Sequence, residues 1–505
     1  MRENELPQSK PDGFASSLEE GASGVPANLA LTPETANPSG ETVVQKRPQA
    51  FLNHKYKNIF PLNMARAQAE VIPNRPAPAL QSFSRNDTIR PNRNAPLPGF
   101  PVREKEANHM SMNTVPERLA ALRAAMAANG VAVYLIPVGD PHASEYLPCH
   151  YTSLTWFSGF HGENSNFVVT RTESALWADG RYFVQAEKEI AGTEIKLQRM
   201  GEPGVPTVEE YCANALNEGE ALGLCGLTAS TALVNDLKKA LEKKDAFIKT
   251  LNLEDELWTE GRPALPDTPA WILPKEYAGF SPAEKLDQLR SKLKELGCTA
   301  QFVGKLDHLA WLLNLRAMDI ECTPYAMAYC YVTPSRAVLF INTARVTPEA
   351  KAELEANGIT LAEYDDVLKF LAAETEPQTV LAECATVNYA VYQVLEQNPA
   401  LTVKDGTDPL LMMKGVKNET ELAHTKQAHI RDAVAMVRFQ IELESRLAAG
   451  ETLTELTVDE ILHKYRSNTD KFIVESFGTI AAYGGNAAMM HYHATEEDHA
   501  KLEKK

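Results

Sequence analysis

One stretch of this chain occurs twice. Laying Arg118–Asp140 over Lys285–Asp307 moves the numbering from 118 to 285, an offset of 167. It pairs Leu119 with Leu286, Leu122 with Leu289, Arg123 with Arg290, Met126 with Leu293, Gly130 with Gly297 and Asp140 with Asp307. In both copies apolar residues three and four apart mark one helix face, a glycine stops the helix, and an apolar run follows that reads as a strand. The offset exceeds the period of solenoid repeats, so duplication of a whole α/β domain is the better account.

The segments around the two copies read differently. Residues 1–111 hold 14 of the 31 prolines, in stretches such as Val71–Leu80 and Pro91–Pro101, with no sustained apolar period. Proline fixes φ and removes donors, so this extension is expected to be disordered, and Met112 to open the first patterned helix. Glu260–Pro274, with four prolines, reads as a stiff connection between the copies. After it, Asn418 with Glu421 three positions on forms a capping-box signature for an amphipathic helix reaching about Leu447. A second helix is expected over about Val458–Arg466. Phe472–Ile480 and Ala487–Tyr492 read as strands around the turn Tyr483–Asn486. The expected division is thus 1–111, a disordered extension; 112–270, a first α/β domain; 271–415, its duplicate; and 416–505, the start of a third unit.

Composition excludes several classes of function. Fifty Lys plus Arg against 67 Asp plus Glu leave a net charge of -17, which repels nucleic acid and anionic lipid. No run of 18 apolar residues and no signal-peptide pattern occurs, so no membrane or export role is expected and the cytoplasm is the expected location. Seven scattered cysteines without a CxxC pair read as free thiols of a reducing compartment.

Four groups of residues carry a resemblance: Asp140–Tyr146 (DPHASEY) with Trp156–Gly162 (WFSGFHG) and Trp177–Phe183 (WADGRYF); Leu306–Arg316 (LDHLAWLLNLR); Lys414–Ala433 (KGVKNETELAHTKQAHIRDA); and Phe477–Tyr492 (FGTIAAYGGNAAMMHY). In this order and spacing over 112–505 the chain resembles Xaa-Pro aminopeptidase of the aminopeptidase P type, in its cytosolic three-domain form. The resemblance implies an α/β fold class: two tandem creatinase/prolidase N-terminal-like domains followed by an incomplete pita-bread (α+β) catalytic domain. It also implies hydrolysis of the bond before a proline at position two, by water activated between two divalent cations, usually manganese. A homodimer is implied for complete members, with proline-containing peptides as partners.

The family's ligands, beginning with an Asp in a DSG-type strand, are expected past Lys505. The chain alone is therefore expected to bind no metal pair and to be inactive. Substitutes within the chain are weak. Glu202-Pro203-Gly204 spells EPG but lies in the first domain; Thr407-Asp408 and Thr469-Asp470 spell TD without a following TR. His491, His493 and His499 could form a metal cluster only with a facing carboxylate. Two substrate contacts carry over from the family. His491, of the HY pair, would line the pocket beside the metals in a catalytic role. Arg181, of DGRYF, would contact bound peptide through its planar guanidinium. For Arg181 the competing reading is an ion pair with Asp179 or Glu187, and for His491 a satisfied core histidine. The alternative function is a non-catalytic pita-bread relative that binds protein; creatine hydrolysis or dipeptide cleavage belongs to relatives with a single front domain.

Overall fold

The structure, a computed structural model, describes residues 114–469 and 471–503. The expected disordered extension over 1–111, and Met112, lie outside the described residues.

Helix α1 (Val115–Ala128) opens on Thr114, whose backbone N–H donates to the Glu117 carboxylate at 2.7 Å. Its counterpart α3 (Pro282–Glu295) opens on Ser281, whose N–H donates to Glu284, also at 2.7 Å. Strands β1 (Val131–Pro137), β2 (Asn166–Thr170), β3 (Ser174–Ala178), β4 (Lys196–Arg199), β5 (Ala221–Leu224) and β6 (Phe247–Thr250) form one sheet in the order β4-β3-β2-β1-β5-β6. Strands β7 (Ala300–Val303), β8 (Tyr329–Val332), β9 (Ala337–Phe340), β10 (Ile359–Ala362), β11 (Gln378–Leu381) and β12 (Leu401–Lys404) form a second, β10-β9-β8-β7-β11-β12. The orders are identical after adding six to each strand number. The directions match as well: β1 and β7 each pair antiparallel with the following strand and parallel with β5 and β11 respectively.

Duplication is visible in side chains too. Arg123 Nε donates to Thr170 O at 3.0 Å, and Arg290 Nε donates to Thr333 O at the same distance. Arg118 lies 4.8 Å over the Trp156 ring and donates to Trp156 O; Lys285 Nζ lies 4.4 Å over the Trp311 ring and donates to Trp311 O at 2.8 Å. Each sheet is covered on both faces. β1 sends Tyr134 and Ile136 into one core and Val133 and Leu135 into the other, as period-two alternation requires. Removing a leucine such as Leu289 from these close-packed cores would cost about 2–5 kcal/mol.

The two domains meet through a reciprocal seam. Helix α2 (Thr231–Glu242) is capped by Ser230, and α4 (Tyr389–Gln397) by Asn388. Thr231 N donates to Val387 O at 3.0 Å while Tyr389 N donates to Ala229 O at 2.9 Å. Ala232 N donates to Cys384 O at 2.8 Å while Ala390 N donates to Gly226 O at 2.9 Å. Each bond has a twin with donor and acceptor domains exchanged, the pattern of an isologous interface. His142 locks one side. Burial lowers its pKa, so the ring is neutral; Nδ1–H donates to Gly304 O and Nε2 accepts from Tyr364 Oη, both at 2.8 Å.

The third region forms both expected helices, but among the described residues no strand forms where strands were expected. Helix α5 (Glu419–Ala448) starts on the predicted Asn418–Glu421 capping box and packs on α6 (Glu455–Arg466). Phe472–Ile480 is irregular, and Ala487–Tyr492 begins inside a short 3₁₀ segment, Gly484–Ala488. No described strand lies beside them to complete a ladder, so their β-favouring residues stay unpaired. What organises this segment is the Glu455 carboxylate, which accepts from Asn486 Nδ2, Tyr492 Oη and Ala500 N. Along α5, Ile430, Val434, Val437 and Ile441 form an exposed apolar stripe. None of the described helices is long and apolar enough to cross a membrane.

Candidate functional site

The residues after β3 fold back sharply. Tyr182 N donates to Asp179 O at 2.9 Å, and helix Phe183–Glu189 begins immediately. That turn aims Arg181 outward and Tyr182 inward. Arg181 Nε and Nη2 hold both Asp179 oxygens at 2.7–3.2 Å, with Asn164 Nδ2 adding a bond at 2.8 Å. The Arg181 fork, followed by the Asn164 and backbone donors, overcomes partial burial and brings the Asp179 pKa down to about 2. Of the expected alternatives Asp179 is therefore the partner; Glu187 is taken by Arg199. Two of five guanidinium N–H groups are engaged there, which leaves three for a ligand.

Arg181 stands at the wall of a cavity of about 470 Å³, with Asp140, Ser144, Glu145, Glu163 and Asn164 from the first domain and Asn388 from the second. Asp140 Oδ1 accepts from His142 N and Ser144 N, at 2.9 and 3.0 Å. Asp140 Oδ2 and Ser144 Oγ are buried without a hydrogen bond. The cavity thus offers carboxylate acceptors for N–H groups beside guanidinium donors for a carbonyl or carboxylate.

Tyr182 joins this cleft to the third region. Its hydroxyl donates to Glu163 Oε2 at 3.1 Å, and the Arg181 guanidinium lies 5.3 Å over its ring. His491 stacks on the ring with centroids 5.2 Å apart and planes 24° apart. The two residues singled out from sequence are therefore brought to the same aromatic side chain. Tyr182 and Glu163 were missed; they stand one position beyond Arg181 and Gly162, at the edges of the motifs, and only tertiary contact distinguishes them.

Comparison with known proteins gives these features a context. A family model described as Creatinase/Prolidase N-terminal domain matches residues 118–257, and a second with the same description matches 261–421. Aminopeptidase P2 of Arabidopsis thaliana is 33% identical over 77% of this chain and 59% of its own length. A Caenorhabditis elegans Xaa-Pro aminopeptidase is 32% identical over 75% of this chain and 64% of its own. The crystal structure of X-prolyl aminopeptidase from Caenorhabditis elegans, described as a cytosolic enzyme with a di-nuclear active site, superposes with a TM-score of 0.72 at 31% identity, covering 77% of this chain and 65% of that one. The chain belongs to the aminopeptidase P family. It spans about three fifths of the length of these aminopeptidase P relatives.

The fold class expected of the family holds: two creatinase N-terminal-like domains, then a region resembling the pita-bread fold. Asp470 lies outside the described residues; among those described, the sequence's alternative ligands do not converge. Glu202 sits in a turn beside Arg199, with Gly204 at φ +84°. Asp408 is bound to His308 Nδ1 at 2.7 Å, and His499 Nδ1 bonds Thr495 O at 2.8 Å. His491 and His493 share no strand face, because no strand forms there. Among the described residues no three His, Cys, Asp or Glu side chains are placed to hold a metal ion. These residues do not fit a dinuclear centre.

Proposed function

We propose that the chain supplies the peptide-recognition part of a cytoplasmic Xaa-Pro aminopeptidase, acting on peptides with proline at position two. The observation that carries this reading is Tyr182, whose ring lies against Arg181, at the wall of the cleft, and against His491 of the third region. Arg181 offers paired donors to peptide carbonyls, while Glu163, Glu145 and Asp140 face N–H groups and the amino terminus. In this reading His491 would donate to a substrate oxygen beside a complete family metal site, expected to hold two divalent cations such as manganese. Homodimerisation belongs to the same proposal for a complete member.

Calorimetric titration of an Arg-Pro-Pro peptide into the 505-residue protein tests this. Binding is expected, with Kd rising about tenfold or more in Arg181→Ala and staying unchanged in the remote Lys239→Ala. Equal affinity in wild type and Arg181→Ala would overturn it.

A second reading, a non-catalytic protein-binding module, draws on the exposed Ile430, Val434, Val437 and Ile441 stripe of α5 and on the unsuitability of the described residues for metals. A chain that binds no proline peptide at all would favour it.

A further inference from the structure

A second cavity, about 280 Å³, opens between the two α/β domains and shares Pro137, Gly139 and Thr228 with the Arg181 cleft. Its volume lies near the small end of ligand pockets, which run from roughly 300 to 1,000 Å³. Ile136 and Leu227 of the first domain and Tyr364 and Leu368 of the second give it apolar and aromatic walls. Leu265 stands exposed at its mouth.

A single acidic group lies at depth. Glu254 is 3% exposed; its Oε2 accepts from Tyr134 Oη, and its Oε1 makes no hydrogen bond. The remaining charges do not compensate it. Asp255 is paired with Arg262, which also donates to His150 O, and Asp365 is exposed. His150 Nδ1 faces Pro263 O at 2.7 Å, and burial lowers its pKa, so that ring carries no charge. Three carboxyls thus face one guanidinium around an apolar space.

We propose that this cavity is a binding site for a small primary amine with an apolar or aromatic body, its ammonium seated on Glu254. Burial holds Glu254 up to about 7, so an arriving ammonium supplies the counter-charge that the buried carboxylate lacks. The apolar body displaces water from walls that hydrate poorly, while an anion would meet net negative charge. A ligand here touches both domains and would tighten the seam between them.

The test is titration of the full-length protein with three probes of one shape: phenethylamine, phenethyl alcohol and phenylacetate. Phenethylamine is expected to bind with a Kd at least about tenfold below that of the alcohol, and phenylacetate weakest of all. Glu254→Gln keeps an acceptor for Tyr134 and should raise the amine Kd about tenfold or more while leaving the alcohol unchanged. Leu368→Trp, at a partly exposed wall, should abolish binding of the amine by filling the space. Equal affinity for amine and alcohol, an unchanged amine Kd in Glu254→Gln, amine binding retained in a folded Leu368→Trp, or no binding by any probe up to about 10 mM would each overturn the proposal, the last as a cavity filled by water only. Should Glu254→Gln not fold, the probe series and Leu368→Trp decide it. None of these outcomes depends on peptide binding at Arg181.

Discussion

Tyr182 and His491 lie ring on ring, 5.2 Å between centroids and 24° between planes, one in the first α/β domain and the other near the end of the described chain. The Tyr182 side chain is 2% exposed and its hydroxyl is fixed by Glu163, so the tyrosine is the stationary partner. His491 takes its position from that fixed ring.

Removing the ring should therefore release the loop. Tyr182→Ala is expected to speed amide exchange over 489–494, because a stacked pair contributes about 0.5–1.5 kcal/mol beyond the area it buries. Tyr182→Phe keeps the stack and should exchange like wild type. If exchange in Tyr182→Ala matched wild type, the stack would not be what holds the loop.

The 505-residue chain by itself is expected to retain no stoichiometric metal pair and to show no turnover of Arg-Pro-Pro. No group of three suitable ligands converges among the described residues, and a metal-bound nucleophile needs such a set. Metal analysis after purification with manganese, together with a proline-release assay, checks this; two bound metals with turnover would refute it.

In a fusion that supplies the remaining length of a relative, the two contacts should separate kinetically. His491→Ala is expected to lower kcat about a hundredfold, in line with about 2.7–4 kcal/mol for a lost transition-state donor. Arg181→Ala should chiefly raise KM, more for longer peptides. Metal content should stay constant in both, so metal loss in either variant would contradict its role as a substrate contact.

The second domain contains a buried ion pair whose disruption should be costly. Arg345 Nη1 holds both Asp319 oxygens at 2.5–2.6 Å, Thr268 Oγ1 and Met327 N donate to the same carboxylate, and both charged side chains are almost wholly covered. Asp319→Ala leaves the guanidinium without a counter-charge and should cost about 3–5 kcal/mol by denaturant unfolding. Replacing both with apolar residues of similar volume should cost much less. Equal losses in the single and double variants would show that the stranded charge is not the cause.

His142 makes the domain seam sensitive to acid. Burial lowers its folded pKa, against an opposing pull from Asp140, while the unfolded value is about 6.5. Below about pH 6.5 the unfolded chain takes up a proton that the folded seam excludes, so stability is full above that pH and falls as the pH drops further. Melting temperature against pH should show a steeper decline below 6.5 for wild type than for His142→Asn. Parallel curves would rule out this histidine as the source.

What the sequence carried and what it withheld follow from the range of the interactions. The duplicated Arg118 and Lys285 helices were legible because their apolar period and stop glycines are local, and so was the Asn418–Glu421 cap. Phe472–Ile480 was misread because β-favouring residues make a strand only when a partner lies alongside. Arg181 and His491 were singled out through their motifs, but neither the ring between them nor Glu254 at the foot of a cavity leaves any mark short of the folded chain.

The reciprocal bonds of Thr231 with Val387 and Tyr389 with Ala229 describe a dimer whose two halves share one backbone. Joining them keeps each at a high effective concentration for the other, so the pair cannot be diluted apart. It also removes the requirement that the halves stay alike. Two separate identical subunits would have to present the same cleft on both sides of the axis. Here one half carries Arg181 and Tyr182, while the other, through Trp311 Nε1 donating to Glu421, seats the long helix that follows. Ancestral symmetry has become a division of labour.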